Sequence, residues 1–376
     1  MKRFDVTILG GGIAGLGVAD ASLKRGLSTL VLEAHSTAHA ASNNTLRIIH
    51  GGFRYLQQLN IGRVVRSLND QSYVVQTFPE AVAPLPCLMP LARSGLKSRW
   101  PVTAAALLYG AIMRTFRSPL PTPRILSAKD LRALAPELAS LAPRGALCWH
   151  DVVMIDPSRI HTAMRDQIRS RGGELHEHTK VTSISKSSDG FRVRTANNVE
   201  FETTRVINTL GAWLGSVSVP EELKGPRPTW CLGFNLIVSK QLHPTHACGV
   251  QSPDGRLFFC VPRGLHTAIG TWYIPYPHSA PTSEDGIKPT VPEGAIDEFI
   301  RSFNAALPSF QINRPDILDI DAGILPMKTQ ARTGPELYGS EIISCRRGYC
   351  EVISTKYTTF RSQGVRALRA VLRKSR

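Results

Sequence analysis

Residues 5–33 read DVTILGGGIAGLGVADASLKRGLSTLVLE. Val6, Ile8 and Leu9 make a short apolar run of the kind that forms a buried strand. Gly10, Gly12 and Gly15 follow at G-x-G-x-x-G spacing, with Ala19 four residues on. A helix pattern then runs to Gly26, and a second strand, Ser28 to Leu32, closes on Glu33. Each glycine has a separate use. Gly10 allows the tight turn, Gly12 lets a pyrophosphate approach the backbone, and Gly15 lets helix and strand pack closely. The helix N-terminus offers unpaired N–H groups and a partial positive charge to the phosphates. A carboxylate at Glu33 accepts hydrogen bonds from both hydroxyls of an adenosine ribose and repels a 2′-phosphate, which favours FAD or NAD over NADP. Ile13 and Ala14, at the helix start, and Ala34, after the acid, complete this candidate binding set. The alternative is a tight glycine turn that holds no ligand.

Composition narrows the class. At 376 residues the chain can bury a large core, and two interwoven domains are expected. Hydrophobic residues make up 42% and charged residues 20%, as in soluble globular proteins. There is no run of eighteen apolar residues to span a membrane. The chain enters its first strand almost at once, so no secretory leader and a cytoplasmic location are expected. None of the seven cysteines forms C-x-x-C and their number is odd, so reduced thiols and no metal site are expected. The formal charge of +16 favours acidic or phosphate-bearing partners or an anionic membrane surface. It also fits a plain basic surface. No nucleic-acid-binding module is recognisable.

Further along, 62–77 read as a helix, and residues 40–44 as a loop entering a helix that Gly51 and Gly52 interrupt and Phe53–Leu56 resume. Residues 162–173 read as an amphipathic helix, Glu174–Ile184 as one strand, and Asp189-Gly190 as a hairpin turn. Phe201–Leu210 reads as a strand. Residues 221–282 are strand-rich, 293–306 helical, Asp319–Leu325 a strand, and Ile342–Ile353 a pair of strands. A last helix begins at Thr358.

Several segments resemble FAD-dependent glycerol-3-phosphate dehydrogenases of the D-amino-acid-oxidase-like flavoprotein superfamily. They are RIIHGGFRYL, PLPCLMPL, SRWPVTAAALLYGA, LCWHDVVMIDPSRI, RVINTLGAWL, DGRLFFCVPRGLHTAIGTWYIPY, GILPM and VISTKYTTFRSQGVRAL, in family order. The resemblance runs to residue 376, and the C-terminal helical domain of many such dehydrogenases is expected to be absent. It implies a mixed α/β fold, with a Rossmann-like FAD-binding domain from 1–80, 145–215 and 316–376. An antiparallel-sheet substrate domain from 81–144 and 216–315 is interwoven with it. Oxidation of a small hydroxylated, anionic substrate by hydride transfer to flavin N5 is then expected, with electrons passing to a quinone, another carrier or oxygen. An amine or amino-acid oxidase of the same superfamily and a non-catalytic flavin-fold module are the alternatives.

The resemblance places His50 beside the flavin, where an imidazole can donate to the ring or act as a base. It places Arg54 on the substrate phosphate, Tyr55 in the pocket wall, and Lys356 in the active site. It also places Ser42 and Asn43 over the pyrophosphate, a Val181 amide at adenine, and Gly211 and Trp213 at a turn toward FAD. Tyr357 and Thr358, next to Lys356, present helix-start N–H groups. The plainer alternatives are a core histidine at 50, surface ion pairing for Arg54, core packing for Tyr55 and Trp213, and a solvated Lys356.

Three departures bear on substrate. Leu325 stands where the family has a phosphate-binding arginine, Asn235 where it has a pocket histidine, and Ser354-Thr355 where it has two glycines. Loss of a charge-assisted contact to a dianion costs about 1.5–3 kcal/mol, roughly tenfold to a hundredfold in affinity. A hydroxy acid, another phosphorylated alcohol or an amine therefore competes with glycerol 3-phosphate, and Arg263 or Lys328 are candidates to compensate. The basic C-terminal helix carries Val365, Leu368, Val371 and Leu372 on one face and Arg366, Arg369, Arg373 and Lys374 between them. It is expected to pack on the FAD sheet, with peripheral contact to the inner face of the membrane as the alternative.

Overall fold

The computed structural model describes residues 2–58, 60–276, 288–331 and 334–373. Lys374 and positions 277–282 of the expected strand-rich region lie outside them. In chain order the elements are β1 (Arg3–Leu9), α1 (Ile13–Leu23), β2 (Thr29–Leu32), β3 (Ile48–Ile49), α2 (Ile61–Thr77), β4 (Val82–Pro90), α3 (Arg99–Thr115), β5 (Arg124–Leu126), α4 (Ala128–Leu134), β6 (Ala146–Met154), α5 (Pro157–Ser170), β7 (Glu174–His176), β8 (Val181–Ser187), β9 (Gly190–Thr195) and β10 (Glu200–Asn208). They continue with β11 (Thr229–Val238), β12 (Ala247–Gln251), β13 (Leu257–Arg263), β14 (His266–Pro275), α6 (Glu293–Ala306), β15 (Ile317–Ala331), β16 (Gly334–Leu337), β17 (Ile342–Arg346), β18 (Tyr349–Ile353) and α7 (Phe360–Arg373).

The first sheet runs β17-β18-β10-β1-β2-β7, with β9 and β8 continuing from β10. β1 lies parallel between β2 and β10, Ile8 facing Val31 on one side and Ile207 on the other. Strands covered on both faces read as continuous apolar runs, and Ile8, Leu9, Leu30 and Val31 are fully buried. β2 follows β1 directly on one edge and β10 arrives much later on the other, so the connections leave β1 to opposite sides. A crevice therefore opens beyond its C-terminal end, the place where such sheets bind ligands.

α1 is buried nearly all round, as an evenly apolar helix must be. α7 crosses it backbone to backbone. A Cβ on Gly364 would lie 2.2 Å from the Gly17 carbonyl oxygen, and one on Gly17 would lie 2.5 Å from that of Phe360. Leu368 and Val371 are buried in this packing, and α7 also meets β17, β18 and β10, so the last helix lies on the first sheet.

The second sheet runs β16-β15-β11-β14-β13-β12-β4-β6-β3, with β5 also on β6. α6 covers one part of it through Phe299 and Phe303, which pack with Phe234, Phe258 and Trp272. Residues 146–154 and 317–331, expected with the first domain, run in this larger sheet, antiparallel to β4 and β11 respectively.

Other expectations are corrected. The stretch before Gly51 is not a helix entry. Arg47 has φ +62°, and Ile48–Ile49 pair with β6 as a short strand. Glu174–Ile184 is two strands, β7 and β8, separated at 177–180, where His178 takes φ +54°. Cys345 and Cys350 are not both reduced thiols. The tight β17–β18 hairpin sets them directly opposite one another, and they are joined as a disulfide. The remaining five cysteines are free and buried.

Candidate active site

A cavity of about 1220 Å³ opens at the C-terminal end of β1 and continues to the larger sheet. Its nucleotide-sized end is built by the glycine turn. Gly10 has φ +95°, and a Cβ there would lie 3.1 Å from the Thr209 carbonyl oxygen. A Cβ on Gly15 would lie only 1.9 Å from the Gly10 carbonyl oxygen, so this residue is packed under the turn and does not line the cavity. Gly12, Ile13 and Ala14 line it. Ser42 Oγ accepts the Ile13 N–H at 3.0 Å, while the Gly12 and Ala14 amides have no partner among the described residues. These amides at a helix N-terminus without a side-chain cap suit the oxygens of a pyrophosphate.

Glu33 and Ala34 line the same end. The Glu33 carboxylate accepts the Gly11 N–H at 2.5 Å and the His35 N–H at 2.9 Å, which fixes its orientation and leaves further lone pairs for ribose hydroxyls. Gly11 was not singled out from sequence. A Cβ there would sit 3.0 Å from Glu33 Cβ, so the middle glycine makes room for the acid. Val181, Gly211 and Trp213 also line the cavity. Asn43 does not: it is exposed, its N–H bound to the Ala40 carbonyl, and Ser42 and Asn44 form the wall instead.

The other end gathers the chemistry. His50, at the end of β3, holds Nδ1 3.0 Å from Asp151 Oδ2, and the Gly51 N–H donates to Asp151 Oδ1 at 2.7 Å. Asp151 is buried in β6. The Gln71 amide donates to the Ile49 carbonyl at 2.8 Å and lies 3.5 Å from the same carboxylate. The His50 N–H donates to Thr358 Oγ1 at 3.2 Å, which ties this bend to the approach of α7, and Phe259 meets the imidazole edge-on. His50 Nε2 has no partner among the described residues and faces a half-exposed site.

Lys356 Nζ donates to the Tyr55 hydroxyl and, at 3.1 Å, to the Gly339 carbonyl. Burial holds its ammonium below the ordinary lysine range; the Tyr55 hydroxyl opposes this, while Arg63 and Arg54 add to it. The Arg63 guanidinium stacks on the Tyr55 ring at 4.5 Å. Arg54, Arg63 and Lys356 thus share one wall, and none has a carboxylate partner among the described residues. Grouped like charges without counter-ions suit an anionic ligand. Leu325 and Lys328 line this end too, as does Asn235, whose Oδ1 accepts from Thr271. Arg263 does not compensate: it is paired with Asp321 at 2.8 Å and donates to the Thr45 carbonyl. The Tyr357 ring lines the cavity while its hydroxyl sits 2.9 Å from His161 Nε2, and burial depresses His161 to about 4, so the imidazole is neutral.

Sequence reasoning missed Asp151 and Arg63. The one signal for Asp151 was an acid inside the apolar run LCWHDVVM; Arg63 gave none. Replacing Asp151 by asparagine is expected to slow substrate oxidation on the order of tenfold to a hundredfold, less than loss of a base itself, with FAD content unchanged. Rapid-mixing flavin reduction checks this.

A glycine-turn cradle and a charged chemical end in one cavity define a dinucleotide-dependent redox protein. The chain belongs to the FAD dependent oxidoreductase family, whose model matches residues 5–346. It is 26% identical over 388 residues to glycerol-3-phosphate dehydrogenase 2 of Mycobacterium tuberculosis, covering 99% of this chain and 63% of the relative. It is 26% identical over 393 residues to a Synechocystis glycerol-3-phosphate dehydrogenase, covering 96% of this chain and 68% of that one. The chain therefore spans just under two thirds of the mycobacterial relative. Among solved structures, glycerol-3-phosphate dehydrogenase from Bacillus halodurans complexed with FAD superposes with a TM-score of 0.73 at 20% identity, covering 99% of this chain and 65% of that one. Glycine oxidase from Geobacillus kaustophilus superposes with a TM-score of 0.68 at 18% identity, covering 100% and 96%. The fold is the mixed α/β fold of these flavoproteins.

Proposed function

We propose that this chain binds FAD non-covalently along the glycine turn and oxidises a small hydroxylated anion, a glycerol-3-phosphate-like molecule or a 2-hydroxy acid. The observation that carries this is the sharing of one cavity by the His50–Asp151 pair, the Arg54–Arg63–Lys356 group and the phosphate-ready turn. Gly12, Ala14 and Ser42 would hold the pyrophosphate, Glu33 the ribose, and Val181 the adenine, with Gly211, Trp213 and Thr358 toward the flavin. The bound FAD supplies the hydride acceptor.

His50 takes the hydroxyl proton at Nε2 while Asp151 fixes Nδ1 and stabilises the imidazolium. Arg54 and Arg63 grip the anionic end through charge-assisted hydrogen bonds. Lys356, propped by Tyr55 and Gly339, would supply positive charge to a bound anion and to the flavin. Electrons leave to a quinone, another carrier or oxygen. The proposed division into a cofactor unit and a substrate unit, 1–80, 145–215 and 316–376 against 81–144 and 216–315 but with β6 and β15 in the larger sheet, puts the cavity between the two. A cytoplasmic protein in peripheral contact with the inner membrane face fits this role.

Because Lys356 surrenders its proton below the ordinary 10.5, anion affinity is expected to fall with rising pH before that value is reached. Lys356→Arg keeps its charge and is expected to remove that alkaline limb from the KM profile. The substrate reading is tested by anaerobic mixing with phosphorylated alcohols, 2-hydroxy acids and amino acids. Bleaching of the flavin by the first two groups supports it; bleaching by amino acids alone establishes an amine oxidase instead.

A further inference from the structure

α3 has two apolar faces. Val102, Ala106, Tyr109 and Met113, at i, i+4, i+7 and i+11, are buried against the body of the protein. Trp100, Ala104, Leu107 and Ala111 repeat the same spacing on the solvent side. Trp100 is 81% exposed and Leu107 72%, and Leu96, just before the helix, is 73% exposed. Ten large apolar side chains are exposed among the described residues, and five of them fall within 96–116. Scattered exposed leucines need no explanation, but a concentrated stripe on one helix marks an interaction surface. A helix that is apolar all round belongs inside something, and this one lies on the outside of the fold.

The charge around the stripe is one-sided. Residues 81–129 contain no Asp or Glu and seven Lys or Arg. Beside Trp100, a depression of about 420 Å³ is lined by Arg93, Arg99 and Arg144 together with Ser98. None of these arginines has an ion-pair partner among the described residues. α7, the helix weighed from sequence for membrane contact, has its apolar face buried against α1 and offers no such surface.

Resting on the peripheral membrane contact in the reading above, we propose that the outer face of α3 is the surface that docks on an anionic lipid bilayer. Trp100, Leu107 and Leu96 enter the boundary between headgroups and acyl chains, and Arg93, Arg99 and Arg144 hold headgroup phosphates. The charge pattern favours this occupant over a second copy of the chain: a two-fold contact through this face would set the same cations against each other. No helix among the described residues is long and apolar enough to cross a membrane, so the contact is one that lies on the surface.

The test uses the full chain loaded with FAD and vesicle flotation. With phosphatidylglycerol at about one part in three in phosphatidylcholine, the protein is expected to float with the vesicles, and to be released as salt is raised. Trp100→Ser with Leu107→Ser, and separately Arg93→Gln with Arg99→Gln and Arg144→Gln, are each expected to weaken binding about tenfold or more. Their melting temperature and FAD content should be unchanged. Leu265→Ser with Leu318→Ser, exposed residues outside α3, should leave binding intact. The proposal is overturned if the unaltered protein stays with the soluble fraction, or if neither set of α3 substitutions weakens binding. It is equally overturned if the leucine and tryptophan changes only convert a dimer to a monomer. Flavin bleaching in the same samples separates failure of docking from failure of the enzymatic reading.

Discussion

Replacing His50 by alanine is expected to lower kcat/KM for the oxidised substrate by about 10²- to 10⁴-fold, roughly 3–5 kcal/mol of transition-state stabilisation. The residue is fixed from three sides: Asp151 at Nδ1, Thr358 at its backbone N–H, and Phe259 against the ring. With the side chain removed, the alcohol proton has no acceptor at the same place, while the glycine turn that would hold FAD is untouched. The loss should therefore fall on the rate of flavin reduction at saturating substrate, with normal flavin content. A change under about threefold would remove His50 from the proton-transfer role. It would also leave the non-catalytic flavin-fold reading standing.

Gly15→Ala is expected to cost about 3 kcal/mol of stability and to abolish FAD retention. The new Cβ would fall 1.9 Å from the Gly10 carbonyl oxygen and 2.8 Å from Thr209 Oγ1. The first of these is backbone, and it belongs to the turn that presents Gly12 and Ala14 to the pyrophosphate, so relief of the clash must move the cradle itself. Gly26→Ala is the control. That glycine has φ +71° but no atom within 4 Å of the added carbon, so only the left-handed conformation is penalised, by about 1–2 kcal/mol. Thermal melts and flavin absorbance separate the two. Equal melting temperatures with FAD kept in both would contradict the packing role given to Gly15.

These two substitutions also mark where sequence suffices. The turn around Gly15 was legible because its constraints are local: an apolar strand, three glycines at fixed spacing, a helix and a terminal acid fall within one short segment. The Asp189-Gly190 hairpin and α6 were legible for the same reason, since turn chemistry and helical period are written in neighbouring residues. Strand partnership was not. The apolar run Ala146–Met154 reads equally well as a buried strand of either sheet, and only its pairing with β4 decides. The polar residues Glu177–Lys180 look like the middle of a strand until Thr37, far off in sequence, is seen donating to Glu177. Likewise His50 was found from its own motif, but Asp151 lies 101 positions away and Arg63 enters the cavity only because α2 folds beside Tyr55. The Cys345–Cys350 bridge was lost to counting: an odd number of thiols hides a pair set face to face by a hairpin.

The proposed reading puts an isoalloxazine ring in the cavity beyond β1, against the His50–Gly51 bend and the start of α7. Titrating FAD into flavin-free protein while following quenching of its fluorescence measures this directly. Saturation at one FAD per chain, with Gly15→Ala failing to saturate, is the predicted result. Unquenched fluorescence at every ratio, from protein shown to be folded by its melt, would contradict it.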